Sequence, residues 1–80
     1  MTRQARTQYV VVAHEGRWHV RRHGKLFGPF PSQAIATCKA VDVAQASSLN
    51  DRPSQVLTEE AGGACRVEWT FGDHPYPPSG

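Results

Sequence analysis

What this chain has little of narrows its function more than what it has. Its longest purely apolar run is Val10 to Ala13. A membrane-crossing helix needs about 20 such residues, so no span is expected. No apolar stretch follows the basic opening Met1-Thr2-Arg3-Gln4-Ala5-Arg6. A secretory signal is therefore not expected there, and the cytoplasm is the expected compartment. Cysteine is scarce: Cys38 and Cys65 lie far apart, without Cys-x-x-Cys spacing. Two reduced thiols serving as small hydrophobes are expected in that compartment, the alternative being a disulfide that joins helix to sheet. Motifs of catalysis are missing as well. There is no Gly-x-Gly-x-x-Gly, Walker loop, nucleophile elbow or His-Glu-x-x-His. Glu59 and Glu60 are adjacent, but neighbours on a strand face opposite sides. Neither an enzyme nor a cofactor is expected.

What is there is enough for one small domain. A chain of 80 residues buries only about 60% of its unfolded surface, so its core is thin. Hydrophobic residues make up 39%, including two Trp, two Tyr and three Phe, which argues for a globule and against disorder. The net charge of +2 is small but unevenly placed. Residues 1–25 hold Arg3, Arg6, Arg17, Arg21, Arg22 and Lys25 against Glu15 alone, a balance of +5. Lys39 and Asp42 cancel, and residues 51–80 carry −3. Either the two poles face different partners, or neighbouring strands compensate each other.

The pattern along the chain predicts an arm over residues 1–7, one α+β domain over 8–72 and a proline-rich tail over 73–80. Gln8 to His14 is β-branched and aromatic and reads as a strand. Glu15-Gly16 is a turn, and Arg17 to His23 a second strand. A two-residue turn turns Tyr9, Val11, Ala13, Trp18 and Val20 inward; a three-residue loop turns Val10 and Val12 inward instead. Gly24-Lys25 reads as a second turn before a short third strand at Leu26-Phe27, ended by Gly28-Pro29-Phe30-Pro31. Ser32 is placed to cap a helix from about Gln33 to about Ala46. Its apolar side holds Ala34, Ile35, Cys38, Val41 and Leu49, with Asp42 and Gln45 at the rim. Ser47 to Ser54 reads as a loop and Gln55 to Glu60 as a strand. After the Ala61-Gly62-Gly63 turn, the alternation predicts a last strand with Cys65, Val67, Trp69 and Phe71 inward and Arg66, Glu68 and Thr70 outward. The expected order is ββ(β)αββ: an antiparallel sheet of two hairpins, one face under the helix and the other open to water.

Several of these segments resemble known families. Tyr9-Val-Val-Val, Gly16-Arg17-Trp18-His19-Val20, Gly28-Pro29-Phe30, Gln33-Ala34-Ile35, Gly63-Ala-Cys-Arg66-Val67-Glu68 and Phe71-Gly72 together resemble a bacterial family of small domains of unknown function, number twenty-one eighty-eight. The resemblance spans residues 9–72 and implies a small α+β domain with no assigned activity. His14 and Asp42 depart from that family's residue types. Residues 16–36, with Trp18-x-Val20, a glycine turn and an Ala-rich helix start, are also similar to two groups of DNA-binding domains. These are the sheet-plus-helix domains of plant ethylene-response factors and the arm-binding domains of tyrosine recombinases, which lay a sheet face in the major groove. Fold alone does not carry function across such a likeness.

The sharpest functional feature is the strand Gly16 to Gly24. Trp18 and Val20 leave one face; Arg17, His19, Arg21 and His23 leave the other. A row of cations spaced about 6–7 Å apart matches a phosphate backbone. With Lys25 beside it, and Arg3 and Arg6 on the arm to reach a neighbouring groove, this set is the candidate nucleic-acid surface. With both tryptophans inside, stacking on single strands is not expected. His14, His19 and His23 suggest a metal site, but the intervening arginines repel a cation, so no metal is expected. The rival reading is a protein-interaction or self-associating module, monomer or weak homodimer, using Leu26-Phe27 or Val56-Leu57 as a free strand edge.

Overall fold

The computed structural model describes residues 7–50, 53–72 and 76. Among the described residues the chain forms β1 (Thr7–His14), β2 (Arg17–Arg22), β3 (Lys25–Phe30), α1 (Gln33–Asn50), β4 (Ser54–Glu59) and β5 (Cys65–Thr70). The fold is α+β. Residues 1–6, and all of the predicted tail except Tyr76, lie outside the described residues, and Thr7 belongs to β1.

The first hairpin follows from its turn. Glu15 and Gly16 both take positive φ, 52° and 76°, the backbone that suits a two-residue turn between twisted strands. It pairs Ala13 with Trp18 and Val11 with Val20. Of the two registers open to the sequence, the two-residue turn is the one adopted. The second turn lies one residue earlier than predicted. His23 and Gly24 take positive φ, 52° and 79°, so His23 sits in the turn and Lys25 opens β3 opposite Arg22. That strand runs through Gly28-Pro29 to Phe30, longer than Leu26-Phe27, because it lies at the sheet border and needs no donor from Pro29. Gly28, at φ 134°, passes so close to β2 that a Cβ would meet the Trp18 carbonyl at 3.1 Å.

The sheet departs from the expected pair of antiparallel hairpins. Its order is β3-β2-β1-β4-β5, and β1 pairs with β4 in parallel. The reason is the helix. Ser32 caps it, its Oγ accepting from Ile35 N–H at 3.2 Å. It then runs to Asn50, past the predicted end. At about 1.5 Å per residue, its 18 residues cover about 27 Å, close to the roughly 26 Å length of the eight-residue β1. The chain thus returns to the level where β1 begins. Thr7 N–H donates to the Pro53 carbonyl at 3.0 Å, and Thr7 stands beside Ser54. A crossover helix of this kind gives a parallel neighbour.

The helix packs by its smallest residues. Ala36, Ala40 and Ala44, four apart on one face, are buried with Val41. Of the predicted stripe only Val41 is inside; Ala34, Ile35, Cys38 and Leu49 are exposed. Alanine lets the helix axis approach the sheet closely, and that proximity leaves the bulkier side chains at its flanks. The core they complete holds Tyr9, Val11, Val20, Val56 and Trp69, with Trp18, Phe30 and Phe71 at its margin.

In β5 a bulge overturns half of the predicted alternation. Val56 pairs with Trp69, but Leu57 pairs with Val67, so Glu68 is an extra residue. Trp69 stays beneath α1. Cys65 and Val67 move to the opposite face, Val67 being 47% exposed. Neither cysteine is core: both are exposed free thiols. Beyond the strand, Tyr76 donates its hydroxyl proton to Asp42 Oδ1 at 2.8 Å, and its ring meets Trp69 edge-on at 6.4 Å.

Trp69 is 2% exposed and joins sheet to helix. Trp69→Ala should cost about 3–5 kcal/mol of stability in urea denaturation. A loss under about 1 kcal/mol would mean that the site collapses around the missing indole.

Candidate nucleic-acid interface

Sequence charge becomes spatial charge through the strand order. From Gly16 to Val41 the chain carries Arg17, Arg21, Arg22, Lys25 and Lys39 and no carboxylate. Those residues build β2, β3 and the first turns of α1. Glu59, Glu60 and Glu68 fall on or beside β4 and β5. Between the two groups runs β1, whose only titratable side chains are Tyr9 and His14. The poles therefore lie on opposite sides of β1.

Three of the predicted residues share the outer face, the one away from α1. Arg17 stands opposite His14, His19 opposite Val12 and Arg21 opposite Val10. Arg17 is exposed on its strand. The His14 and His19 rings meet edge-on at 5.5 Å, and His14 also lies 3.8 Å from Glu15. Two of the predicted residues do not join the row. His23 occupies the turn. Lys25 shares a face with its partner Arg22, which is the helix side, because cross-strand partners point the same way. Arg3 and Arg6 lie outside the described residues. Among the described residues, no three His, Cys, Asp or Glu side chains gather as a metal site.

The outer face is not the purely polar, water-facing surface expected of it. Val10, Val12 and Leu57 form a second buried cluster there. Arg21 on β2 reaches Glu59 on β4 at 3.5 Å. These strands flank β1 on either side, so the ion pair bridges β1 on the face where Val10 and Val12 stand. The stem of a long cationic side chain covers apolar surface while its head stays wet. The run Val10-Val11-Val12 was the available sequence signal, since an unbroken apolar run marks a strand buried on both faces. A proposed strand edge at Val56-Leu57 is also corrected: β4 lies between β1 and β5, inside the sheet, whereas Leu26-Phe27 does lie on the border strand β3.

At the acidic border the charges answer one another. Arg66 holds Glu60 and Glu68, each at 2.8 Å. Partial burial pushes the Glu68 carboxyl up, but the Thr58 hydroxyl and the Arg66 guanidinium outweigh it, and the net position is below the ordinary value. Glu60, Arg66, Thr58 and Trp18 line a wide, open depression of about 650 Å³ near Gln33. Its charged groups are already paired, so it offers little to a ligand. Comparisons with protein-family models, with curated proteins and with solved structures return no match.

A carboxyl held low in the folded state makes the unfolded chain the better proton binder, so its stabilisation is present at neutral pH and lost on acidification. The wild type should be more stable than Glu68→Gln at pH 7, by no more than about 1 kcal/mol for a surface pair. That difference should close as the pH falls below the ordinary glutamate value of 4.5. Denaturation curves of both proteins at pH 7 and pH 3 check it; a gap that persists at pH 3 would assign the effect to packing.

Proposed function

We propose that this chain is a small, non-catalytic binding module that grips a polyanion, the phosphate backbone of duplex nucleic acid, along its β2–β3 hairpin. The observation that carries this reading is the separation of charge: a β2–β3 hairpin without a carboxylate at one border of the sheet, with Glu59, Glu60 and Glu68 on or beside β4 and β5 across β1. Arg17, His19 and Arg21 form the outer row, and at the hairpin tip His23 sits in the turn and Lys25 adds a further cation. Arginine forks onto phosphate oxygens. A β-ribbon fits the major groove of duplex DNA. Duplex rather than single strands is the favoured form, because Trp69 is buried, Trp18 is half-buried and the outer face carries no Trp, Tyr or Phe among its described residues to stack on a base.

A second reading rests on the same separation. Opposite poles on one molecule are complementary, so the cationic border of one copy suits the acidic border of another. Sedimentation at low and high salt distinguishes the two: a monomer under both conditions removes self-association and leaves the polyanion reading standing.

For the polyanion reading, fluorescence anisotropy with labelled duplex DNA is the direct test. Binding at low salt should fall within about 1–100 μM, and log K should drop against log salt with a slope near −3 for about three phosphates. Arg17→Gln should weaken binding. Glu59→Gln, which releases Arg21 from its ion pair, should tighten it. Binding weaker than about 100 μM, or indifferent to salt, would overturn the proposal.

A further inference from the structure

The helix side of the same hairpin holds a second feature that phosphate binding does not use. Between α1 and the β2–β3 border lies an apolar groove of about 220 Å³, lined by Tyr9, Val20, Phe27, Phe30, Ala40 and Val43. Arg22 and Lys39 complete its wall, and no carboxylate lines it. Phe27 and Val43 are 47% and 52% exposed, so the groove opens to solvent between them.

Two polar atoms there are unsatisfied. The Tyr9 hydroxyl and the Arg22 Nε are both buried without a hydrogen-bond partner, although Tyr9 as a whole is only 2% exposed. The Arg22 guanidinium lies over the Tyr9 ring, 5.4 Å from its centre. A buried donor left unpaired is rare in folded proteins and calls for an explanation. Apolar walls, two cations and two unpaired donors among the lining residues suit a molecule with an apolar body and an anionic head.

The geometry points to a small amphiphilic carboxylate as the occupant: one aromatic ring or short acyl chain bearing a single carboxylate. Its size follows from volume. An apolar cavity of roughly 150 Å³ takes benzene; the groove at about 220 Å³ takes a ring plus the carbon that carries the head. Its charge follows from the wall. Arg22 on β2 and Lys39 on α1 both line the groove, and guanidinium and ammonium groups are the donors a carboxylate accepts from. The apolar body displaces water from Phe27, Phe30 and Val43. A divalent or polymeric anion does not suit the groove, since its remaining charge would be held against those rings. The proposal does not depend on nucleic-acid binding, which uses the outer face.

The test is a titration of the full ¹⁵N-labelled chain, followed by amide NMR, with phenylacetate and hexanoate and with their neutral amides. Saturable shifts should cluster on Lys39 to Val43 and on Arg22 to Phe27. The acids should bind at least about tenfold tighter than the amides, the difference made by a charge-assisted contact. Whichever acid binds tighter identifies the body as ring or chain. Lys39→Gln, at an exposed position, and Arg22→Gln should each bring the acid toward its amide. Tyr9→Phe should lose several-fold in affinity while its melting midpoint holds or rises, because the change removes an unpaired hydroxyl. That split separates a binding role from a structural one. Equal binding of acids and amides, shifts confined to Arg17 and Arg21, or no saturation below about 10 mM would overturn the proposal.

Discussion

The structure depends on β1 being apolar on both sides. Tyr9 and Val11 enter the core under α1, and Val10 and Val12 pack with Leu57 on the opposite face. A strand of that kind belongs in the middle of a sheet, where both flanks are paired and both faces are covered. It takes β2 on one side through a tight turn and β4 on the other through a helix of matching length. Everything downstream follows: the order of strands, the border positions of β3 and β5, and the distance between the charged hairpins.

The cost of covering the second face falls on charged side chains. With no second helix among the described residues, part of the task passes to the Arg21–Glu59 bridge over β1. An exposed pair of this kind contributes little as an ion pair. What such a pair can add over apolar side chains is the cover of its methylene stems. The same contact also links the cationic hairpin to the acidic one across β1.

Local features of the sequence carried much of the fold. The Ser32 cap, the Trp18-x-Val20 strand, the Glu15-Gly16 turn and the inward Trp69 were all legible from residue type and spacing, because each is decided within a few residues. Three features were not, for physical reasons. The parallel β1–β4 pairing depends on the length of a helix whose end lies in Ser47-Ser48-Leu49-Asn50, residues that read equally well as loop. The buried helix stripe is Ala36, Ala40 and Ala44 because alanine packs closely without standing out as hydrophobic, whereas the bulkier Ile35 and Leu49 lie exposed. The β5 alternation was right from Trp69 onward and wrong in phase before Glu68, since a bulge adds one residue without any marker in composition. Of the candidate surface, Arg17, His19 and Arg21 fall together as their spacing dictates. His23 and Lys25 were lost to a turn displaced by one position, and a single step reverses a strand's face.

The two borders of the sheet share one property. On β3 the ladder is broken by Gly28-Pro29, where a donor is missing and the register shifts against β2. On β5 it is broken at Glu68 by the extra residue. An extended segment from another molecule arriving at either border meets only two or three regular backbone positions before the spacing fails. Ribbon-like growth by strand addition is thereby checked in the main chain itself, and the side chains of the hairpin remain free to be cationic, aromatic and exposed without turning the protein into a seed for fibres.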